Sequence, residues 1–358
     1  MALETISLEN FRNHARSELG QTAKFNLLVG ENGAGKTNVL EALSLLSPGR
    51  GIRRAPLADL ARQNSPGNFA IGANLTEQGQ VSARIGTYVE ADKPSRRMVR
   101  INGANASASA LSEWLAIAWL TPAMDGLFMD SAGARRRFVD RMALAIEPSH
   151  ARAVSQLEAS LRERNKLLET NADTRWLDAI EAQLAEHGAQ VAANRAALIA
   201  ALDETLSALP AEPFARPILS YRPGGPVEMQ ELRSELHRQR GRDRAAGRSL
   251  TGPNRDELDV FMAGSGQAAA ACSTGEQKAM LIAITLAHGV LASEGRPSLL
   301  LLDEVAAHLD PVRRAALFDR LGQGRAQIWM TGTELSPFSD IKSDVAIWKV
   351  AGGALERL

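Results

Sequence analysis

Gly30-Glu31-Asn32-Gly33-Ala34-Gly35-Lys36-Thr37 is the stretch that decides how this chain is read. It fits G-x-x-x-x-G-K-[ST] at every fixed position, the spacing of a phosphate-binding loop. Upstream, Phe25-Asn26-Leu27-Leu28-Val29 is a short apolar run that predicts a buried strand. Downstream, Val39, Leu40, Leu43 and Leu46 recur at helical spacing. The loop therefore joins a strand to a helix N-terminus. Its glycines let the backbone curl with N–H groups pointing inward as an anion nest. The helix start adds unpaired N–H donors and the positive end of a dipole. In such a loop Lys36 reaches the β- and γ-phosphates of ATP, and the Thr37 hydroxyl is a ligand for Mg²⁺. Gly30 through Thr37 are candidate nucleotide ligands. The alternative, an ordinary Gly-rich turn, has the flanking strand and helix against it.

The far end of the chain supplies what such a loop needs. Ser298-Leu299-Leu300-Leu301-Leu302-Asp303-Glu304 is an apolar run ending in two carboxylates. Strand ends hold such groups stiffly at the mouth of an α/β sheet. Asp303 would hold Mg²⁺, and Glu304 would orient and polarise an attacking water. About 30 residues earlier stands Ser273-Thr274-Gly275-Glu276-Gln277, followed by the apolar run Ala279–Ala292. Ser273 with Glu276 makes an ordinary capping box, and a Ser and a Gly at a helix start are also good anion ligands. The order of these elements is that of ABC-type ATPases, in which this element of one subunit closes over the γ-phosphate held by the other. It implies an ATP-gated homodimer in which Ser273 and Gly275 act in trans and Asp310 couples the two sites. Arg12-Asn13-His14 is a polar break that reads either as a solvated turn or as a nucleotide contact, with Arg12 and Asn13 as the candidates.

With 358 residues, about two domains are expected. Hydrophobic content of 45% and charged content of 23% suit a globular chain. The one cysteine, Cys272, excludes an intramolecular disulfide and fits a cytoplasmic protein. No apolar run is long enough for a membrane span, and the acidic first residues do not read as a signal peptide. Net charge is zero, so a nucleic-acid partner requires a local basic surface. Arg50, Arg53 and Arg54, after the loop helix, are candidates for DNA contact. The stretch Arg233–Arg248 is also strongly basic, and its plain reading is a solvated charge run.

Strands are expected at 4–11, 68–75, 80–89 and 96–101, with turns at Glu77-Gln78-Gly79 and Lys93-Pro94. From about Gly126 the spacing turns helical. Val154, Leu157, Leu161 and Leu168, then Val191, Leu198, Leu202 and Leu209, predict two antiparallel helices. Pro210, Pro213 and Pro217 break the pattern. Thr251–Leu258 is turn-rich and leads into a strand pair, and 326–331 and 344–350 read as further strands. The fold class is α/β: an ABC-type P-loop ATPase lobe with mixed sheets, built from 1–123 and 249–358, and a helical lobe inserted at 124–248.

Taken together these residues resemble the RecF family of bacterial recombinational-repair proteins, relatives of the SMC and Rad50 ATPases. The resemblance spans nearly the whole chain. It includes Leu8-Glu9-Asn10-Phe11-Arg12-Asn13, the phosphate loop, Arg136-Arg137-Phe138-Val139-Asp140, Arg164-Asn165-Lys166-Leu167-Leu168, Thr251-Gly252-Pro253-Asn254-Arg255-Asp256-Glu257-Leu258, the Ser273 element and Leu301-Leu302-Asp303-Glu304. Gly-Pro-x-Arg-Asp and the short insert are its most specific features. It implies ATP-dependent dimerisation on DNA, preference for single-strand/double-strand junctions at gaps, and work with RecO and RecR in loading a recombinase. Two departures stand out. Asn254 occupies a place where the family commonly has His. No His follows Thr331-Gly332-Thr333, where ABC transporters keep a γ-phosphate switch. Slow hydrolysis fits the second.

Overall fold

The computed structural model describes residues 3–77, 80–170, 173–210 and 212–358. The turn expected at Gln78-Gly79 lies outside them. The chain forms two compact units, one running to Asp125 and resuming over Ile284–Leu358, the other Gly126–Ala283.

The first unit opens with β1 (Leu3–Phe11), β2 (His14–Leu19) and β3 (Phe25–Val29). The phosphate-loop stretch then leads to α1 (Lys36–Ser44). Next come β4 (Phe69–Glu77), β5 (Gln80–Val89), β6 (Arg97–Ile101), β7 (Ala104–Ala106), a short α2 (Leu111–Trp114) and β8 (Ala116–Leu120). The second unit holds α3 (Ala132–Ile146), α4 (His150–Glu169), α5 (Thr174–Ala208), β9 (Pro217–Arg222), α6 (Met229–Ala246) and β10 (Glu257–Met262). The boundary between units falls inside α7 (Thr274–Ala292). The chain ends with β11 (Ser298–Leu302), α8 (Pro311–Gln323), β12 (Gln327–Gly332), β13 (Val345–Ala351) and β14 (Ala354–Arg357).

Two sheets build the first unit. One runs β14-β13-β3-β12-β11-β8, parallel except for β14. Its strands β3, β8, β11 and β12 are buried along their whole length, which is why they read as unbroken apolar runs. Parallel strands bring their carboxyl ends to one rim. Residues 30–37 after β3, Thr331 near the end of β12 and Asp303 after β11 thus meet although nearly 300 positions separate them. The other sheet is antiparallel, β2-β1-β4-β5-β6-β7. One apolar cluster joins the two through α1. Val39, Leu40 and Leu43 share that cluster with Ile6, Leu8, Phe69 and Ile71 of the antiparallel sheet and Leu28, Leu299 and Trp329 of the parallel one. Each such side chain removed from water stabilises by about 1.5–3 kcal/mol, so the phosphate-loop helix is among the best-anchored elements of the unit.

In the second unit α4 and α5 form the expected antiparallel pair, with Leu157, Leu184, Ala185 and Val191 in a shared core that also takes Leu232 and Leu236 of α6. The proline-broken stretch yields β9, which begins at Pro217, a position where the absent N–H costs no internal ladder bond. β10 pairs antiparallel with β9, not with a following strand as its sequence suggested. That pairing is why 249–283, expected with the ATPase lobe, groups with the insert.

Buried charge ties this unit together. Arg164 is fully buried and donates to Glu181 (3.0 Å), Asp243 (2.7 Å), the Ser249 hydroxyl (2.8 Å) and the Leu236 carbonyl (2.8 Å). Arg195 joins Asp140 (2.8 Å) to Asp256 (2.8 Å) and to the Pro253 carbonyl (2.7 Å). Asp256 also accepts from the Tyr221 hydroxyl (2.5 Å) and the Gly224 N–H (2.8 Å). Burial, then the bond to Asp256, pushes the Tyr221 phenol well above its ordinary range. Burial alone would raise the Asp140 carboxyl, but hydrogen bonds from His150 and Arg195 hold it below its usual value. Truncating Arg164 to Ala leaves buried Asp243 without its cationic partner and Glu181 with Arg240 alone, and should cost about 3–5 kcal/mol in urea unfolding, whereas Arg162→Ala, which breaks an exposed pair with Glu158, should cost under about 1 kcal/mol.

Candidate nucleotide site

The loop after β3 turns through Gly35, whose φ of +114° lies in the left-handed region. A Cβ at Gly35 would fall 2.7 Å from the Asn13 amide, so glycine is needed for close approach as well as for the turn. Lys36, on the first turn of α1, is 4% exposed and arches back over the loop, donating to the carbonyls of Gly30 (2.7 Å) and Glu31 (2.8 Å). Thr37 donates to both carboxylate oxygens of Asp303, at 3.0 and 3.2 Å. The hydroxyl and the carboxylate singled out as metal ligands are therefore in contact across the strand order β3-β12-β11.

Thr331, on the intervening strand β12, was not singled out as a site residue. Its buried hydroxyl donates to Asp303 Oδ1 (2.8 Å) and accepts the Glu304 N–H (2.9 Å). Glu304 has φ +54°, uncommon for a residue with a side chain. One threonine thus holds Asp303 by its carboxylate and Glu304 by its backbone. The one sequence signal was its place at the end of an apolar run beside the other two.

The β1–β2 turn forms a wall of the loop. Asn13 donates to the Ala34 carbonyl (3.0 Å) and accepts from the Asn38 amide (2.7 Å). His14 is buried, with Nε2 at 3.3 Å from the Gly35 carbonyl and Nδ1 at 3.0 Å from the Ser17 hydroxyl. Burial pushes its imidazole below the ordinary histidine value, so the ring is neutral near pH 7. Gly353 donates to the Ala34 carbonyl (3.1 Å), and a Cβ there would lie 2.2 Å from the Asn13 carbonyl oxygen.

Arg12 is not turned to the loop. It makes a bidentate pair with Glu41 of α1 (2.8 Å each) and reaches the Asp59 carbonyl (2.9 Å). Arg53 joins the same carboxylate (2.9 Å) and the Asn38 side chain (2.7 Å). All three loop arginines offered for DNA are exposed, and Arg53 is engaged with α1 through these bonds. Arg97 closes the other end of α1, donating to the carbonyls of Leu45, Ser47 and Gly49. It satisfies acceptors a helix C-terminus leaves unpaired, and burial pulls it down to about 10 while leaving it cationic near neutrality.

Ser273 and Glu276 form the expected reciprocal cap. The Ser273 N–H and hydroxyl both donate to the Glu276 carboxylate (2.8 and 2.7 Å), which sits below its ordinary pKa through those bonds. Both Ser273 and Gly275 are exposed, and nothing lies within 4 Å of a Cβ built at Gly275. Asp310 caps α8, accepting from the Arg313 N–H (2.9 Å), and is exposed.

Against known proteins, residues 2–354 match the RecF/RecN/SMC N-terminal domain model. A Brucella suis protein named DNA replication and repair protein RecF is 45% identical, covering 99% of this chain and 96% of its own. A Mesorhizobium japonicum protein of that name is 46% identical, covering 95% and 93%. This chain belongs to the RecF family. In fold it matches a RecF structure described as a recombination mediator protein with ATPrS in the RecFOR pathway (TM-score 0.87, 22% identity, 99% and 98% of the two chains). It also matches a Pyrococcus furiosus Smc head domain (TM-score 0.56, 16% identity, 100% and 96%). For this RecF-family chain the Thr331 contacts give a direct expectation. Thr331→Val leaves the part-buried Glu304 N–H without an acceptor and should lower unfolding free energy by about 1–3 kcal/mol, with Thr331→Ser restoring most of it.

Proposed function

We propose that this chain is an ATP-dependent DNA-binding recombination mediator and a slow ATPase. The observation that carries the reading is the contact between Thr37 and Asp303 beside the phosphate loop. In the bound state Lys36 leaves the Gly30 and Glu31 carbonyls for the β- and γ-phosphates, as phosphate oxygens are the stronger acceptors for an ammonium. The site suits Mg²⁺: one hydroxyl and one carboxylate converge, and among the described residues no cluster of three metal-binding side chains competes for a different ion. Thr37 and Asp303 would hold such an ion, which would supply charge neutralisation at the phosphate oxygens. Glu304 accepts a proton from the attacking water as general base. Arg12 and Asn13 act by bracing α1 and the loop.

Ser273 and Gly275 of a second copy close over the γ-phosphate, so ATP joins two copies and Asp310 relates their sites. Their exposure supports this reading. DNA lies against the dimer, at single-strand/double-strand junctions of gaps, held through its phosphates by arginines including Arg50 and Arg54. RecR, together with RecO, is the protein partner, and the cytoplasm is the setting. Support for the DNA and repair assignments comes from the curated relatives' shared name.

A second reading is an ATP-gated structural DNA clamp of the SMC/Rad50 type with negligible hydrolysis. It is favoured by Glu334, which follows Thr331-Gly332-Thr333 where a histidine switch would stand.

Lys36→Ala should abolish ATP-dependent dimerisation and DNA binding together; equal DNA affinity in variant and parent would refute the coupling. Glu304→Gln separates the two readings. Persistent ATP-bound dimers that no longer release DNA support the mediator with a hydrolytic timer, and unchanged release rates support the clamp.

A further inference from the structure

The basic stretch 233–248 takes no part in the nucleotide site, and the structure sorts its arginines. Leu232, Leu236 and Asp243 face the core of the second unit. Arg240 is spent on Asp178 and Glu181, and Arg244 donates to the Leu168 carbonyl. The rest lie outside. Arg233, His237, Arg238, Arg242 and Arg248 are all exposed, on the outer face of α6 and just past its Gly247 cap. Arg238 shares Glu235 yet stays 73% exposed, and Arg242 reaches only a glutamine oxygen at 3.4 Å. Among the described residues Arg233, His237 and Arg248 have no side-chain partner. In their midst sits Gly241, with nothing within 4 Å of a Cβ built there. Glycine in an exposed helix costs about 1 kcal/mol relative to alanine, and what it gives here is bare backbone open to close approach.

We propose that this face of α6 binds the sugar–phosphate backbone of DNA, a contact separate from the arginines of the first unit; the proposal rests on the DNA-binding reading above. From Arg233 to Ala246, the last helical residue, the face runs about 20 Å at 1.5 Å per residue. Duplex DNA presents about twelve phosphates over that length, at one charge per ~1.7 Å. Arginine forks suit phosphate oxygens and stay charged at any working pH. An acidic protein segment is the poorer match. Protein interfaces favour aromatic anchors beside arginine, and on α6 itself the exposed large apolar residue, Met229, lies at the start of the helix, not among the arginines. With its arginines set on phosphates and not on base edges, the face gives affinity without sequence preference.

The test uses the full chain with ATP and a gapped duplex, with affinity read by anisotropy over a NaCl series. Substituting Arg233, Arg238, Arg242 and Arg248 together by Gln should weaken binding at least about tenfold near physiological salt. It should also make the slope of log K against log[NaCl] shallower by about 3. ATP-dependent dimerisation should be unchanged. Parent-like affinity and slope would overturn the face while leaving DNA binding by the protein in place. A parent that binds no DNA would fell both. A second measurement avoids any folding defect in the quadruple variant. The thiol of Gly241→Cys should react with a maleimide while buried Cys272 stays slow, and gapped duplex should protect it. Absence of protection, or equal protection by polyglutamate at matched charge, would contradict a phosphate-backbone site.

Discussion

Everything in the nucleotide site depends on three adjacent parallel strands ending at one rim. β3 delivers the loop, β11 delivers Asp303 and Glu304, and β12 between them delivers Thr331. The Thr37–Asp303–Thr331–Glu304 chain of hydrogen bonds is the result. Buried polar groups in such a chain are costly when left unpaired and stiff when satisfied. That stiffness holds a hydroxyl and a carboxylate together at the rim beside the phosphate loop. The register of β12 against its neighbours, with Met330 opposite Leu302 and Thr331 opposite Leu28, puts the threonine where both sides need it.

How much of this was legible in the sequence depended on how local the cause was. The phosphate loop, the apolar strand before Asp303 and the Ser273 capping box are set by residues within a few positions of one another, and they stand where the pattern put them. α4 and α5 followed from helical spacing for the same reason. What was missed is set by distant pairing. β9 is hidden behind prolines and exists because β10 hydrogen-bonds to it, so the boundary between units moved from 248 to 283. Arg12 reads as a nucleotide contact by sequence proximity alone, whereas Glu41, itself nearly fully buried, claims its guanidinium. A single buried carboxylate on α1 also captures Arg53, so two arginines that look free in sequence are structural. Arg97 shows the reverse: an inconspicuous strand residue closes the end of the loop helix.

The Gly252-Pro253-Asn254-Arg255-Asp256 segment, the most specific part of the family resemblance, has a structural rationale. Asp256 accepts from Arg195, Tyr221 and a backbone N–H, and the Pro253 carbonyl takes another bond from Arg195. Asn254 donates to the Ser249 carbonyl, a contact that makes it part of the same turn. These residues tie the β9–β10 ribbon and α5 into one unit, so the motif works here as a structural lock.

In the proposed function a complete ATP site takes Lys36 from one copy and Ser273 from another. The most direct measurement mixes two inactive variants, Lys36→Ala and Ser273→Arg, each carrying a different fluorophore, and follows energy transfer on adding ATP. If the site is shared between copies, a mixed dimer holds one site with both defects and one intact site. Transfer should then appear only in the mixture. If the two residues served the same copy's site, no mixed dimer would contain an intact one, and a mixture as silent as either variant alone would contradict the account.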